Sequence, residues 1–376
     1  MAETPPARPD PSYSIQPERG SNLALVSEAA TRAWAEAEEP VAPGARADER
    51  LRHAVRTAVL APSVFNTQPW AFQLRGSGAL DLLADRTRQL PTLDPNGGRL
   101  LTISCGAALF FLRVGAARNG LRLRVRPVPD LGRPDLLATV DVVPGMPDPD
   151  LLALVPAVAL RRTHRGPFES RPVDGDTLVA LGRGAQAEGA VLRPAPDTIA
   201  ALVVEATERL GADEGCRHDF AAGLRPTRAP TDAPGLDGIP DYVAGEWGAR
   251  SYTTGGDDDL CAWGEGRAEN DRRLAADAPA VLVVGTTADN PFEWLAAGQA
   301  TARVLLQATL VGVSASYLLG PVLVASVRES LAEALGGLRP QVLLRAGHVA
   351  PGPSGRPLSP TPRRPLSAVL RQSASP

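Results

Sequence analysis

The chain contains no lysine; all 39 of its basic residues are arginine. A Walker-type phosphate loop needs its lysine, and pyridoxal-phosphate chemistry needs a Schiff-base lysine, so both are excluded. A phosphate site here must use guanidinium forks, backbone N–H groups and hydroxyls. Cysteine is scarce: Cys105, Cys216 and Cys261 form an odd, sparse set, a poor disulfide framework. Cys216-x-His218 has no second pair at zinc spacing, so it reads as a local loop feature. Net charge is only -3, which leaves no global field for nucleic acid or an acidic membrane. Long hydrophobic runs are missing too. The best, Ile103 to Ala117, is interrupted by Arg113 and holds two glycines, short of the roughly 18 residues a spanning helix needs. The N-terminus lacks the basic-then-apolar order of a secretory signal. These absences predict a soluble, cytoplasmic protein with neither a membrane nor a nucleic-acid partner.

Hydrophobic residues make up 44% of the 376, enough for a sizeable core. The length suits two or three domain-sized units. Residues 1–22, rich in Pro, Ser and Arg, read as a disordered tail. Helices are predicted over Leu23–Glu38 and, with Leu51, Ala54, Val55 and Ala58 at helical spacing, over Asp48–Leu60. A hairpin of Ala71–Leu74 and Leu80–Ala84 follows, then a helix over Arg99–Gly120 too apolar for a surface, then strands at Leu121–Val128 and Leu137–Val143. The second half repeats the order: a helix from Asp174, a strand at Ala280–Thr286, a long apolar helix over Trp294–Gly312 and a strand at Val342–Ala346. Gly298 lies 192 residues after Gly106, and Gly312 lies 192 after Gly120. Any two buried helices look alike, so the shared offset supports duplication only modestly. Between the units, about 211–273 holds Gly, Pro and Asp clusters with Trp247 and Trp263. A loop of that length predicts a lid.

Three motifs carry chemistry. Ala61-Pro62-Ser63-Val64-Phe65-Asn66-Thr67-Gln68-Pro69-Trp70 closes a helix and enters a strand. Its prolines restrict the backbone, so Ser63, Asn66 and Gln68 would point in fixed directions. Hydroxyl and amide groups donate and accept, which suits a planar heterocycle with mixed edges. A turn capped locally by Ser and Asn would use the same residues, and spacing alone favours that simpler reading. Arg161-Arg162-Thr163-His164-Arg165 gathers three guanidiniums and a hydroxyl, a set suited to phosphate; a solvated basic run is the plainer account. Pro362-Arg363-Arg364-Pro365 is the third, with a basic tail as its alternative. Two further patterns are decoys. Gly182-x-Gly184-x-x-Ala187 follows a probable helix where a dinucleotide fingerprint needs a strand, and Asp257-Asp258-Asp259 lacks calcium-loop spacing.

In this order the three motifs resemble the nitroreductase superfamily, and within it the actinobacterial Acg branch of dormancy-associated FMN-binding proteins. Ordinary family subunits carry an Arg-Arg-Ser-x-Arg phosphate motif, then Ala-Pro-Ser-x-x-Asn-x-Gln-Pro-Trp, then a basic tail, and two subunits share two FMN sites. Acg-like proteins fuse two such units and keep one site. Here the first half has Pro62-Ser63, Asn66 and Gln68-Pro69-Trp70, while its Thr31-Arg32-Ala33-Trp34 is no phosphate motif. The second half has Arg161, Arg162, Thr163 and Arg165, while its Leu181–Ala185 has no Asn-x-Gln-Pro-Trp. Each half retains what the other lost.

The resemblance implies an α+β fold of two tandem nitroreductase-like units, antiparallel sheets flanked by helices, a pseudo-dimer in one chain. It places the halves at 23–155 and 156–370, the second with the lid about 211–273. It implies one FMN, held non-covalently by Pro62, Ser63, Asn66, Gln68, Arg161, Arg162, Thr163, Arg165, Leu319, Gly320, Arg363 and Arg364. The flavin ring is expected between Phe65 and Trp70. Phe65 replaces an expected His, which makes the ring environment more apolar and removes a possible proton donor, and His164 replaces a common Asn. The implied function is an FMN-dependent oxidoreductase acting on a nitro compound, a quinone or a secondary-metabolite intermediate, with NAD(P)H as candidate reductant. The alternative is a non-catalytic FMN store closed by the lid.

Overall fold

The computed structural model describes residues 23–76, 78–95, 97–225, 237–240, 266–349 and 360–372. The first unit opens with α1 (Leu23–Glu38) and α2 (Ala47–Ala58). In α2, Leu51, Ala54, Val55 and Ala58 are buried at spacings of three and four, and the Glu49 carboxylate accepts from the Arg46 N–H at 2.9 Å to close the first turn. The strands β1 (Trp70–Gly76) and β2 (Ala79–Ala84) form the expected hairpin, and α3 (Arg99–Arg118), β3 (Arg122–Pro127) and β4 (Leu136–Val143) follow. α4 (Pro149–Ala153) and α5 (Val155–Leu160) lead into the second unit. That unit has α6 (Gly175–Ala187), β5 (Val191–Pro194), α7 (Ile199–Ala212) and α8 (Glu214–Gly223). The two-residue strands β6 (Leu224–Arg225) and β7 (Ile239–Pro240) pair with each other. Then come α9 (Arg267–Ala276), β8 (Ala280–Thr286), α10 (Pro291–Leu310), β9 (Ser314–Tyr317), α11 (Gly320–Leu323), α12 (Ala325–Ala334) and β10 (Arg339–Gly347). The chain closes with α13 (Leu366–Val369) and β11 (Leu370–Gln372).

The two larger sheets have one topology. The first runs β1-β2-β4-β3 and the second β5-β8-β10-β9, each antiparallel, and in chain order the four strands of each stand first, second, fourth, third. β11 adds to the first sheet, parallel to β1, with Phe72 opposite Leu370. The C-terminal segment therefore returns to complete the sheet of the N-terminal unit.

The long helices repeat down to single hydrogen bonds. Both end on a left-handed glycine, Gly120 at φ 76° and Gly312 at φ 72°, the conformation glycine adopts without a Cβ penalty. The N–H of Leu121 donates to Ala116 O at 2.9 Å, and the N–H of Val313, 192 residues on, donates to Ala308 O at 2.9 Å. α3 and α10 pack on each other, and at their crossing Gly106 meets Gly298. A Cβ on Gly106 would stand 3.0 Å from Gly298 Cα and closer still to the Leu295 carbonyl oxygen. A Cβ on Gly298 would stand 2.9 Å from Gly106 Cα and closer still to the Ile103 carbonyl oxygen. Each contact is the 192-residue mate of the other, the reciprocity of a twofold interface.

The crossing also merges the cores. Leu295, Ala302 and Leu306 of α10 pack into the first unit's core, and Ile103 of α3 packs into the second's. By length and composition α3 could cross a bilayer, but 89% of its apolar window is buried inside the protein. Its hydrophobicity is accounted for by helix-on-helix packing.

Gly298→Ala should destabilise the chain by at least the ~1–3 kcal/mol of an overpacked core, because backbone has to move. Gly182→Ala, with nothing within 4 Å of its Cβ position in α6, should stabilise it by roughly 0.5–1 kcal/mol through the unfolded chain. Urea unfolding of both variants checks the contrast; equal effects would mean that the helices are not in backbone contact.

Candidate functional site

The segment after α2 is strained. Ser63 is extended, Val64–Asn66 form a 3₁₀ turn, and Phe65, Asn66 and Gln68 all have positive φ, at 44°, 56° and 50°. Such non-glycine conformations cost on the order of 1–3 kcal/mol each and persist only where the surroundings over-determine them. Here they do. The Gln68 N–H donates to Ser63 Oγ at 3.0 Å, and the Val64 N–H donates to Ser104 Oγ of α3 at 3.2 Å. Asn66 Nδ2 donates to the carbonyls of Gly238 at 3.0 Å and Pro362 at 3.1 Å, while Asn66 Oδ1 accepts from Arg363 at 2.9 Å. The Phe65 ring meets Phe220 edge-on at 5.0 Å.

Facing this turn is a cationic wall. Arg161 leaves the end of α5, its N–H still bonded to Ala157 O at 2.9 Å. Thr163 then bridges Ala315 of β9 in parallel, which aims Arg161, Thr163 and Arg165 inward. Arg363 arrives on the C-terminal segment. Arg161 is 4% and Arg363 3% exposed, and the Nε atoms of both are buried without a hydrogen-bond partner among the described residues. Burial lowers the pKa of Arg161, and burial together with Arg161, Arg162 and Arg165 lowers that of Arg363 well below the ordinary arginine value. Guanidiniums gathered in this way are unfavourable unless an anion joins them. Burial also pushes the Tyr317 phenol up to about 12 despite these cations, so it is protonated at neutral pH.

Between the turn and this wall lies a cavity of about 180 Å³. Both units line it: α3 gives Leu100, Ile103, Ser104 and Ala107, and α10 gives Gly298 and Thr301. Four arginines line it (Arg161, Arg165, Arg345 and Arg363) against one carboxylate, Asp271. Burial raises the Asp271 pKa, weakening it as a counter-ion.

Of the residues singled out from sequence, Pro62, Ser63, Asn66, Arg161, Thr163, Arg165, Leu319 and Arg363 are brought together on this lining. Four others stand off it. Gln68 is fully buried; its Oε1 accepts from the Arg364 N–H at 2.8 Å and its Nε2 donates to Asn66 O at 3.3 Å. Arg364 reaches Gln68 O at 3.3 Å and Ala368 O at 2.7 Å. Arg162 donates to Ala159 O at 2.8 Å and its own neighbour's carbonyl at 2.9 Å. Gly320 begins α11 against Ala206. Trp70 also departs from expectation: it is completely buried in the first unit's core, whereas Phe65 lines the cavity. Strand alternation after Pro69 turns Trp70 into the sheet's inner face.

The sequence of about 211–273 predicts a long irregular loop acting as a lid. Its described parts are largely helical: α8 buries Cys216, Phe220 and Gly223 at spacings of four and three, and α9 carries Asp271. Glycines and charged residues in α8, and charged residues in α9, dilute the period that would reveal them. Trp247 and Trp263 lie outside the described residues. Ile239, Asp271 and Leu274 wall the cavity. Gly182, Gly184 and Ala187 fall inside α6, so the fingerprint-like spacing is helical. Sequence reasoning misses Tyr317, Arg345 and Asp271, which also line the cavity. For Arg345 a signal existed: an arginine inside the apolar run of β10, 3% exposed, is out of place in a core strand.

No protein-family model matches the chain. Among curated proteins, the Mycobacterium tuberculosis protein named "Putative NAD(P)H nitroreductase Rv3131" is 33% identical over 327 residues, 86% of this chain and 91% of that protein. A second from the same organism, "Putative NAD(P)H nitroreductase acg", is 29% identical over 341 residues, 86% of this chain and 96% of that protein. Among solved structures, the FMN-dependent nitroreductase NfnB from Mycobacterium smegmatis in complex with NADPH matches at 16% identity and a TM-score of 0.36, over 60% of this chain and all of that one. At one-third identity over nearly the whole length of the first of these relatives, the chain belongs to the nitroreductase superfamily, in its Acg-like branch.

Proposed function

We propose that the cavity between the units holds one FMN non-covalently and that the chain is an FMN-dependent oxidoreductase of a small nitro compound, quinone or secondary-metabolite intermediate. The observation that carries this is the pair of buried guanidiniums, Arg161 and Arg363, whose Nε atoms have no hydrogen-bond partner among the described residues, beside an otherwise largely apolar cavity. A phosphate monoester supplies the missing acceptors and charge. Arg161, Arg165 and Arg363 would hold it, with the hydroxyl of Thr163 as a further donor. The strained turn Ser63–Asn66 and the α3 residues Ile103, Ser104 and Ala107 would bound the planar ring. FMN, when bound, supplies the redox chemistry. The protein's share is to orient it, exclude water with Leu100, Ile239, Leu274 and Val322, and present fixed donors to developing charge. The name of the Rv3131 relative supports NAD(P)H as the reductant.

The asymmetry of the pseudo-twofold, with the units taken to meet at about residue 155, supports one site per chain. The 192-residue offset carries the wall residue Ala107 to Gln299. There the protein fills the space itself: Arg113 donates to Gln299 Oε1 at 3.0 Å and pairs with Glu188, which also pairs with Arg303 at 2.9 Å.

A second reading, sequestration without turnover, is favoured by α8. Its Phe220 and Gly223 close on Phe65, while Ile239 and Leu274 add to the wall. Anaerobic addition of NADPH to the yellow protein separates the two. Bleaching within seconds is the expected result for the oxidoreductase. Bleaching by dithionite alone would leave a store, or an enzyme with another reductant.

Arg161→Ala and Arg165→Ala should each weaken FMN about ten- to a hundredfold, the worth of one or two charge-assisted hydrogen bonds. Riboflavin, which lacks the phosphate, should lose little. Fluorescence titration of both ligands checks this, and equal losses would show that the phosphate lies elsewhere.

A further inference from the structure

Trp34 stands where the first unit would have carried its own phosphate motif, and it takes part in no other feature described above. It lies on α1, the residue 7% exposed. Its contacts run to both ends of the second unit. The indole Nε1–H donates to the Thr361 carbonyl at 3.0 Å. The Arg363 guanidinium lies over the ring at 5.4 Å, and the Arg162 guanidinium lies over it at 4.4 Å. Arg162 is itself tied to the Arg161 carbonyl at 2.9 Å. One indole therefore contacts the residue preceding Arg363 by two, Arg363 itself, and the immediate neighbour of Arg161.

The electrostatics give this arrangement a purpose. Arg161, Arg162, Arg165 and Arg363 repel one another in a buried setting. An indole face is the strongest aromatic acceptor for a cation, and the interaction grows as water is removed. A hydrogen bond to Thr361 fixes the segment that delivers Arg363, which also donates to Asn66 Oδ1 and to the carbonyl of Leu60.

We propose that Trp34 is the positioning residue of the anion clamp: through its ring and its N–H it docks the C-terminal segment and holds Arg363 against Arg161, so that a phosphate monoester meets both at once. This rests on the FMN reading above. Trp34 is not itself among the residues that line the cavity, but it contacts two that are, Thr361 and Arg363; it therefore acts through them and should govern the phosphate end of the ligand alone.

The test is the ratio of FMN to riboflavin affinity in wild type, Trp34→Leu and Trp34→Phe. Trp34→Leu should lower that ratio about tenfold, within the range of a desolvated cation–π contact. Riboflavin affinity should be nearly constant. Trp34→Phe keeps a ring and should recover most of the ratio. A ratio unchanged in Trp34→Leu, or one that Phe does not recover, overturns the proposal. If wild type shows no preference for FMN over riboflavin, the phosphate reading falls instead. Should Trp34→Leu fail to fold, hydrogen exchange on wild type decides. FMN, and not riboflavin, should slow exchange both in residues 360–364 and in the last two turns of α1; protection confined to one of the two segments contradicts the docking role.

Discussion

At the crossing of α3 and α10 the backbone of one helix rests on the backbone of the other, with Gly106 and Gly298 giving up their side chains to allow it. The site depends on that approach. Ile103, Ser104 and Ala107 on one helix, and Gly298 and Thr301 on the other, line one cavity because the helices lie so near. A larger residue at either glycine would push the units apart and open the wall. The same approach interleaves the cores: Leu295, Ala302 and Leu306 enter the first unit's interior and Ile103 enters the second's.

Symmetry of the backbone is joined to asymmetry of the side chains. Strand order recurs in the two larger sheets, and helix-ending glycines and helix-capping hydrogen bonds recur at the 192-residue offset. Around one side of the crossing the side chains leave a cavity edged with arginine; around the other they close on an ion-pair network centred on Glu188. Arginine suits both roles. Burial lowers Arg162 only to about 10, so it keeps its charge at neutral pH where a lysine could shed a proton. A lysine-free chain can bury its cations and still present them to an anion.

Much of this was legible in the sequence because it is periodic or local. The long helices, the hairpin and the Ser63–Gln68 turn announce themselves through spacing, proline and glycine, and the 192-residue offset hints at the duplication; that Gly106 meets Gly298 comes from the structure. Long-range placement was not legible. Gln68 and Arg364 carry the right chemistry, yet they bond each other, because the C-terminal segment runs beside β1 and brings them together. Asp271, on α9, lies in a stretch whose apolar period is too dilute to read as a helix. Arg345 and Tyr317 reach the cavity from neighbouring strands, β10 and β9, paired at Leu344–Tyr317, a register that no local pattern specifies.

The central claim is that two units of one topology combine into a single anion-anchored flavin site. Calorimetric titration of the flavin-stripped protein with FMN tests it most directly, since the number of sites and the affinity come from one curve. The account predicts one FMN per chain, with tight binding that weakens when inorganic phosphate or pyrophosphate competes. Two FMN per chain would contradict the filled second position, and one FMN per two chains would place the site between molecules instead of between the units.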